Sequence, residues 1–155
     1  MHRIPNYQYG SLISESLSRL PQGMRDRLTH VRWFCGSDPI FAGLHSYEDT
    51  TDARSYRNTS HCLYPYHING PADRRVTTIV IPELETPDVL VHELGHALDG
   101  TINFDHLAIQ PVTWYAKTNQ HEAFAEALVA YTHYYGDREV AETDYSTLRL
   151  FEELS

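Results

Sequence analysis

The chain has 155 residues, of which 41% are hydrophobic and 21% charged, and its formal net charge is -9. Those proportions exclude a disordered chain, and the length suits one domain spanning 1–155 with a core of its own. Residues 1–78 hold nine arginines and seven acids, whereas residues 79–155 hold three bases against fourteen acids; a field of that sign repels phosphate backbones, excludes general nucleic-acid binding and favours a bound cation.

No apolar run approaches the roughly 18 residues of a membrane span, and the first residues lack the apolar stretch of a secretory signal. The expectation is a soluble protein, cytoplasmic by default, with no membrane partner. Cys35 and Cys62 define no disulfide framework and read as two free buried thiols. Ten histidines raise the prospect of a metal site without locating one.

In chain order, Leu12, Ile13, Leu17 and Leu20 recur at helical spacing over residues 11–20, and Pro21 stops that run. Residues 22–29 read as a further helical turn or two. Residues 31–34 follow as a strand, closed by Gly36 and a turn at Ser37 to Pro39. The tyrosine-rich stretch 41–69, broken by Gly43 and Pro65, reads as short strands and loops ahead of Gly70. Residues 75–81 are β-branched almost throughout and end at Pro82, the clearest strand in the chain. Thr86, Pro87 and Asp88 then supply an N-cap hydroxyl, a proline at the first helical position and an acid in the first turn. The helix they open carries an apolar stripe of Leu90, Leu94, Ala97 and Leu98, with Gly100 as its stop. A further helix is predicted over residues 120–135, with Phe124, Leu128 and Tyr131 or Tyr135 on its core face and Gly136 as terminator. Residues 145–154 are predicted helical.

The helix opened by Thr86 contains His92, Glu93, Leu94, Gly95 and His96, an H-E-x-x-H pattern. Side chains four apart on a helix stand one above the other, so both imidazoles reach one ion, while Glu93, about 100° round the helix, suits the ion's water ligand. A catalytic zinc takes three protein ligands and leaves a position for water, so a third ligand is needed. The metzincin extension would require Gly at position 99 and His at position 102; Asp99 and Ile102 stand there instead. Asp99 lies less than a turn beyond His96 and suits a supporting place beside the metal or the helix end. Glu122 and Glu126, four apart on the next helix, can supply a ligand and a group that orients a ligand imidazole. Asn119 followed by Glu122 also fits a capping box, so spacing alone leaves Glu122 between metal ligand and helix cap.

The segment from Tyr115 to Glu126, YAKTNQHEAFAE, together with H-E-x-x-H, resembles the zincin domain shared by anthrax lethal factor and the clostridial Pro-Pro endopeptidases, whose pattern there is approximately Y-x-x-T-N-x-x-E-x-x-A-E. The resemblance covers roughly residues 75–135. It implies an α+β, zincin-like fold: a small mixed sheet, an edge strand packed against the metal-binding helix, and a second ligand helix C-terminal to it. It implies a zinc endopeptidase in which His92, His96 and Glu122 hold Zn2+, Glu126 supports them, Glu93 is the general base and Tyr115 stabilises the transition state. It places residues 75–81 at the rim of the cleft, where Thr78, Ile79 and Val80 would pair with a peptide or protein substrate. The interval from His96 to Glu122 is shorter than is usual in that family, which implies reduced substrate-binding elements. A small regulatory metallopeptidase similar to the phage-associated repressor-cleaving family, and a non-catalytic domain stabilised by zinc, are the alternatives. His121, about 100° from Glu122, reads as solvent-facing; His133 as a cation at a helix end; His61, His67 and His106 receive no role.

Overall fold

The computed structural model describes residues 6–36, 59–65, 76–133 and 145–155. The expected turn at Ser37 to Pro39, most of the 41–69 stretch, Gly70, His67, Arg75, Tyr135 and Gly136 lie outside the described residues. Among those described, the fold is mixed α+β, with five α-helices and a small three-stranded mixed sheet. None of its helices is long and apolar enough to cross a membrane.

Helix α1 spans Asn6–Ser18 and α2 spans Gln22–Arg27. The α1 helix begins earlier than its apolar spacing predicts and buries Tyr9 and Leu12, with Leu20 buried just beyond its end. Strand β1, Arg32–Cys35, closes at Gly36, which adopts a left-handed φ of 73° that glycine takes without steric cost. Its N–H donates to the Ile81 carbonyl at 2.8 Å.

Strand β3, Thr78–Ile81, is buried at all four positions. It pairs in parallel with β1 and antiparallel with β2, His61–Leu63, giving the order β1-β3-β2. The expectation that this strand forms an exposed edge is therefore corrected. Thr78, Ile79 and Val80 are covered on both edges and have no backbone groups to offer a substrate. A continuous apolar run is what burial on both faces demands, and among the described strands the short β2 takes the edge beside the cleft. Cys35 and Cys62 are free and half-buried. They sit on β1 and β2 with β3 between, opposite Ile81 and Ile79 respectively; two strand spacings and a two-residue offset put them roughly 11–12 Å apart, beyond disulfide reach.

Helix α3, Pro87–Thr101, starts as the local signals predict, with Thr86 extended and Pro87 in the first turn, although the Thr86 hydroxyl makes no capping bond. Its end differs from expectation. Gly100 is inside the helix, and closure comes from Asn103 and Phe104 at φ 53° and 58°. Asn103 N–H donates to the Gly100 carbonyl and Phe104 N–H to that of Asp99, the paired bonds of a Schellman motif. Gly100 instead makes room for Tyr64, whose ring carbon would lie 3.0 Å from any Cβ there. Leu90, Val91, Leu94 and Leu98 are fully buried, each stabilising the fold by about 1.5–3 kcal/mol relative to exposure.

Helix α4, Gln120–His133, buries Phe124, Leu128 and Tyr131 as predicted. Helix α5, Tyr145–Leu154, buries Phe151, which meets Phe124 edge-on at 5.3 Å. Helices α3 and α4 pack so closely that a Cβ at Gly95 would stand 2.8 Å from the Ala125 Cα. That contact brings the acids of α4 over the histidines of α3.

Candidate metal centre

Three donor atoms converge where the two helices cross. His92 Nε2 and His96 Nε2 are 3.1 Å apart, and Glu122 Oε2 lies 2.9 Å from the first and 3.3 Å from the second. Ligands at 2.0–2.2 Å around a tetrahedral ion stand about 3.3–3.6 Å from one another, so the triangle has nearly the size of a filled site. The Glu122 oxygen is buried yet accepts no well-directed hydrogen bond. Two imidazoles and a carboxylate crowded round a common point, with an orphaned oxygen among them, fit a divalent cation, and these three residues can hold one.

Asn119 Oδ1 accepts the Glu122 N–H at 2.9 Å, so the asparagine caps α4. The Glu122 carboxylate does not return that bond and turns to the histidines. Capping and ligation are thus compatible because they use different atoms. Glu126 Oε1 stands 2.7 Å from His92 Nδ1, opposite the ring nitrogen that faces the cluster, and Thr113 holds Glu126 in turn. A carboxylate in that place sets the tautomer and orientation of a ligand imidazole.

Burial opposes charge on His92, but the carboxylates of Glu122 and Glu126 against its ring outweigh that and raise its pKa from 6.5 to about 10. Glu122 is held well below the usual carboxylate range, since the two imidazoles overcome its partial burial. The metal-free fold therefore favours protonated His92. That stabilisation is whole below pH 6.5 and fades as pH rises through about 10. A cation has to displace this proton, so its apparent affinity is expected to rise across the same window, by up to about tenfold per unit for one proton. Calorimetric titration in buffers of different ionisation enthalpy measures the released proton; uptake indifferent to pH is the contrary result.

Glu93 lies beside the triad, buried on the β2 side. Burial pushes its carboxyl up, opposed by His92 and reinforced by Glu122 and Glu85, to about 8; the Cys62 N–H donates to it. Tyr115, in the short 3-10 helix Tyr115–Lys117, places its ring 5.9 Å from that of His92, and its phenol meets Glu122. Partial burial and the carboxylates of Glu122 and Glu93 raise its pKa. A cleft of about 950 Å³ opens over these groups, bounded by Cys62, Glu93, Tyr115, His121 and Glu122.

Asp99 is not part of this cluster. It is fully buried and stands between His106 Nε2 at 3.0 Å and His121 Nδ1 at 3.6 Å. His106, given no role by its loop position, has a side chain only 6% exposed. His121 is 53% exposed, as a solvent-facing residue should be, yet it reaches both Asp99 and the cleft. His133 meets the Asp88 carboxylate at 2.9 Å in addition to lying at a helix end. Sequence reasoning also missed the backbone of Cys62, which carries no side-chain signal, and Tyr64, whose hydroxyl donates to the His96 carbonyl at 2.8 Å. Compared with protein-family models, with curated proteins and with solved structures, the chain matches none.

Proposed function

We propose that this chain is a zinc-dependent endopeptidase of zincin type, with His92, His96 and Glu122 as the metal ligands. The observation that carries the reading is the convergence of that triad beside a buried carboxyl, Glu93, on the wall of an open cleft. A neutral donor pair with one carboxylate suits zinc, and the three ligands that converge among the described residues suit a catalytic ion better than a structural one, which closes with four. When bound, zinc supplies Lewis-acid polarisation of water and of the substrate carbonyl.

Glu93 accepts a proton from the attacking water as its oxygen bonds to the peptide carbon, then delivers it to the amine as the C–N bond breaks. Burial raises this carboxyl in the metal-free fold; a divalent cation held by the three ligands beside it would favour the carboxylate, the form that accepts the proton. Tyr115 donates its phenolic hydrogen to the carbonyl oxygen as negative charge develops there, exchanging Glu122 for the substrate. Glu126 keeps the His92 ring in register through Nδ1.

A peptide substrate adds to the outer edge of β2 in this reading, because β3 is already paired on both sides. The Cys62 N–H is turned to Glu93 on that edge. N–H and C=O of one strand residue point the same way, so the Cys62 carbonyl is left for a substrate amide.

Zinc-loaded protein is expected to cleave a peptide library, to lose the activity on chelation and to regain it with zinc. Loss of thermal stability alone on chelation, with no cleavage by the zinc-loaded form, would instead support a zinc-stabilised binding domain.

A further inference from the structure

We infer that Asp99 is a positioning residue of the metal centre: its carboxylate, held between His121 and His106, clamps the first turn of α4 to the last turn of α3 and sets where Glu122 stands. The inference rests on the metal centre formed by His92, His96 and Glu122.

Asp99 follows His96 by three residues, so it lies on nearly the same face of α3, one turn beyond the donors. Local stability does not account for it there. An acid in the last turn of a helix works against the helix dipole, and a fully buried carboxylate costs several kcal/mol of desolvation unless its partners are well placed. Burial raises its carboxyl, and the two imidazoles oppose the rise.

Its oxygens face His106 Nε2 at 3.0 Å and His121 Nδ1 at 3.6 Å as ion-pair contacts without a well-directed hydrogen bond, so its place is explained by what those two rings touch. His121 immediately precedes Glu122 in α4. His106 stacks on Phe124 at 5.2 Å with 29° between planes, and Phe124 lies two residues after Glu122. The two rings that Asp99 holds thus bear on α4 from both sides of the ligand. His106 cannot swing away, since its Nδ1 also faces the Leu107 carbonyl at 2.8 Å. His121 meets Phe104 edge-on at 4.9 Å, and Tyr64 meets the other side of this chain of rings, 5.4 Å from Phe104. Tyr64 in turn donates to the His96 carbonyl. A chain of contacts therefore runs from the backbone of one ligand, His96, through the rings of Tyr64 and Phe104 to His121, the residue before Glu122, where Asp99 meets it. Phe104 takes its place there with a left-handed backbone, φ 58°.

Co2+ serves as the probe, because its visible absorption reports ligand geometry without any need for catalysis. The wild-type protein is expected to bind one Co2+. Asp99→Asn and His121→Phe are expected to weaken it about tenfold or more, towards the 10–100-fold typical of groups that support ligands, and to change the visible band. Met24→Ala, which empties a fully buried site on α2, is expected to lower the melting temperature without altering affinity or band. If Asp99→Asn does not fold, His121→Phe decides alone, since the substitution keeps a ring against Phe104 at a half-exposed position. Wild-type Co2+ affinity and spectrum in the folded variants would overturn the inference. A wild-type protein that takes up no Co2+ would remove the metal centre and the inference together; one that takes up Co2+ and cleaves no peptide would remove only the endopeptidase reading.

Discussion

Glu93→Gln is expected to leave the metal in place and to reduce peptide cleavage by about 10²–10⁴-fold, the usual contribution of a positioned acid or base. The side chain keeps its size, and its carbonyl oxygen still accepts from the Cys62 N–H, but it no longer takes a proton from water. Glu93 touches none of the three donors directly as a ligand, so zinc content measured by elemental analysis should match the wild type. A second readout separates loss of chemistry from loss of fold. The Glu93 carboxyl is raised from 4.5 to about 8, chiefly by burial, so the fold favours its neutral form. The stabilisation that follows is whole below pH 4.5 and is lost as pH rises through about 8. Glutamine mimics the neutral form at every pH. Metal-free Glu93→Gln should therefore melt no lower than the metal-free wild type at pH 9. Undiminished cleavage by the variant would refute the assignment of Glu93 as the base.

The second large effect is expected from a single methyl group. Gly95→Ala puts a Cβ 2.8 Å from the Ala125 Cα and 3.3 Å from its Cβ. Backbone cannot rotate out of the way, so α3 and α4 must part, at a cost of about 1–3 kcal/mol for overpacking. Alanine recovers up to about 1 kcal/mol of helix propensity relative to glycine, which does not offset the clash. Glu122 lies one turn before Ala125 on the displaced helix, so zinc affinity should fall at least about tenfold along with stability. Gly10→Ala is the matched control. It too lies in a helix, but among the described residues nothing beyond its own helical turn lies within 4 Å of the new methyl, and it is expected to stabilise slightly and leave zinc binding unchanged. Denaturant unfolding and zinc titration of the two variants check both statements; equal behaviour of the pair would show that the helix crossing is not set by Gly95.

Much of α3 was legible because its signals are local. Pro87 and Asp88 mark a helix start wherever they occur after an extended residue, and a four-residue spacing puts His92 and His96 on one face of any helix. The far end was not legible, since Asn103 and Phe104 close the helix in a conformation usually left to glycine. Gly100, the apparent stop, answers instead to Tyr64, a residue 36 positions earlier. The roles of Glu122 were both written in the chain, and only the orientation of its carboxylate separates them. For the strand Thr78–Ile81, the expectation of an edge came from its position just before the helix of His92 together with the resemblance, and its pairing on both sides is decided by segments remote in sequence.

What the sequence determined by itself was the inventory of donors and their spacing along each helix, because helical geometry repeats without reference to the rest of the chain. Tertiary structure alone decided which strand is the edge, how near α4 comes to α3, and that a buried Asp99 gathers His106 and His121. Those are distances between segments remote in sequence, and they are set by backbone packing and hydrogen-bond pairing that no periodicity within one segment contains.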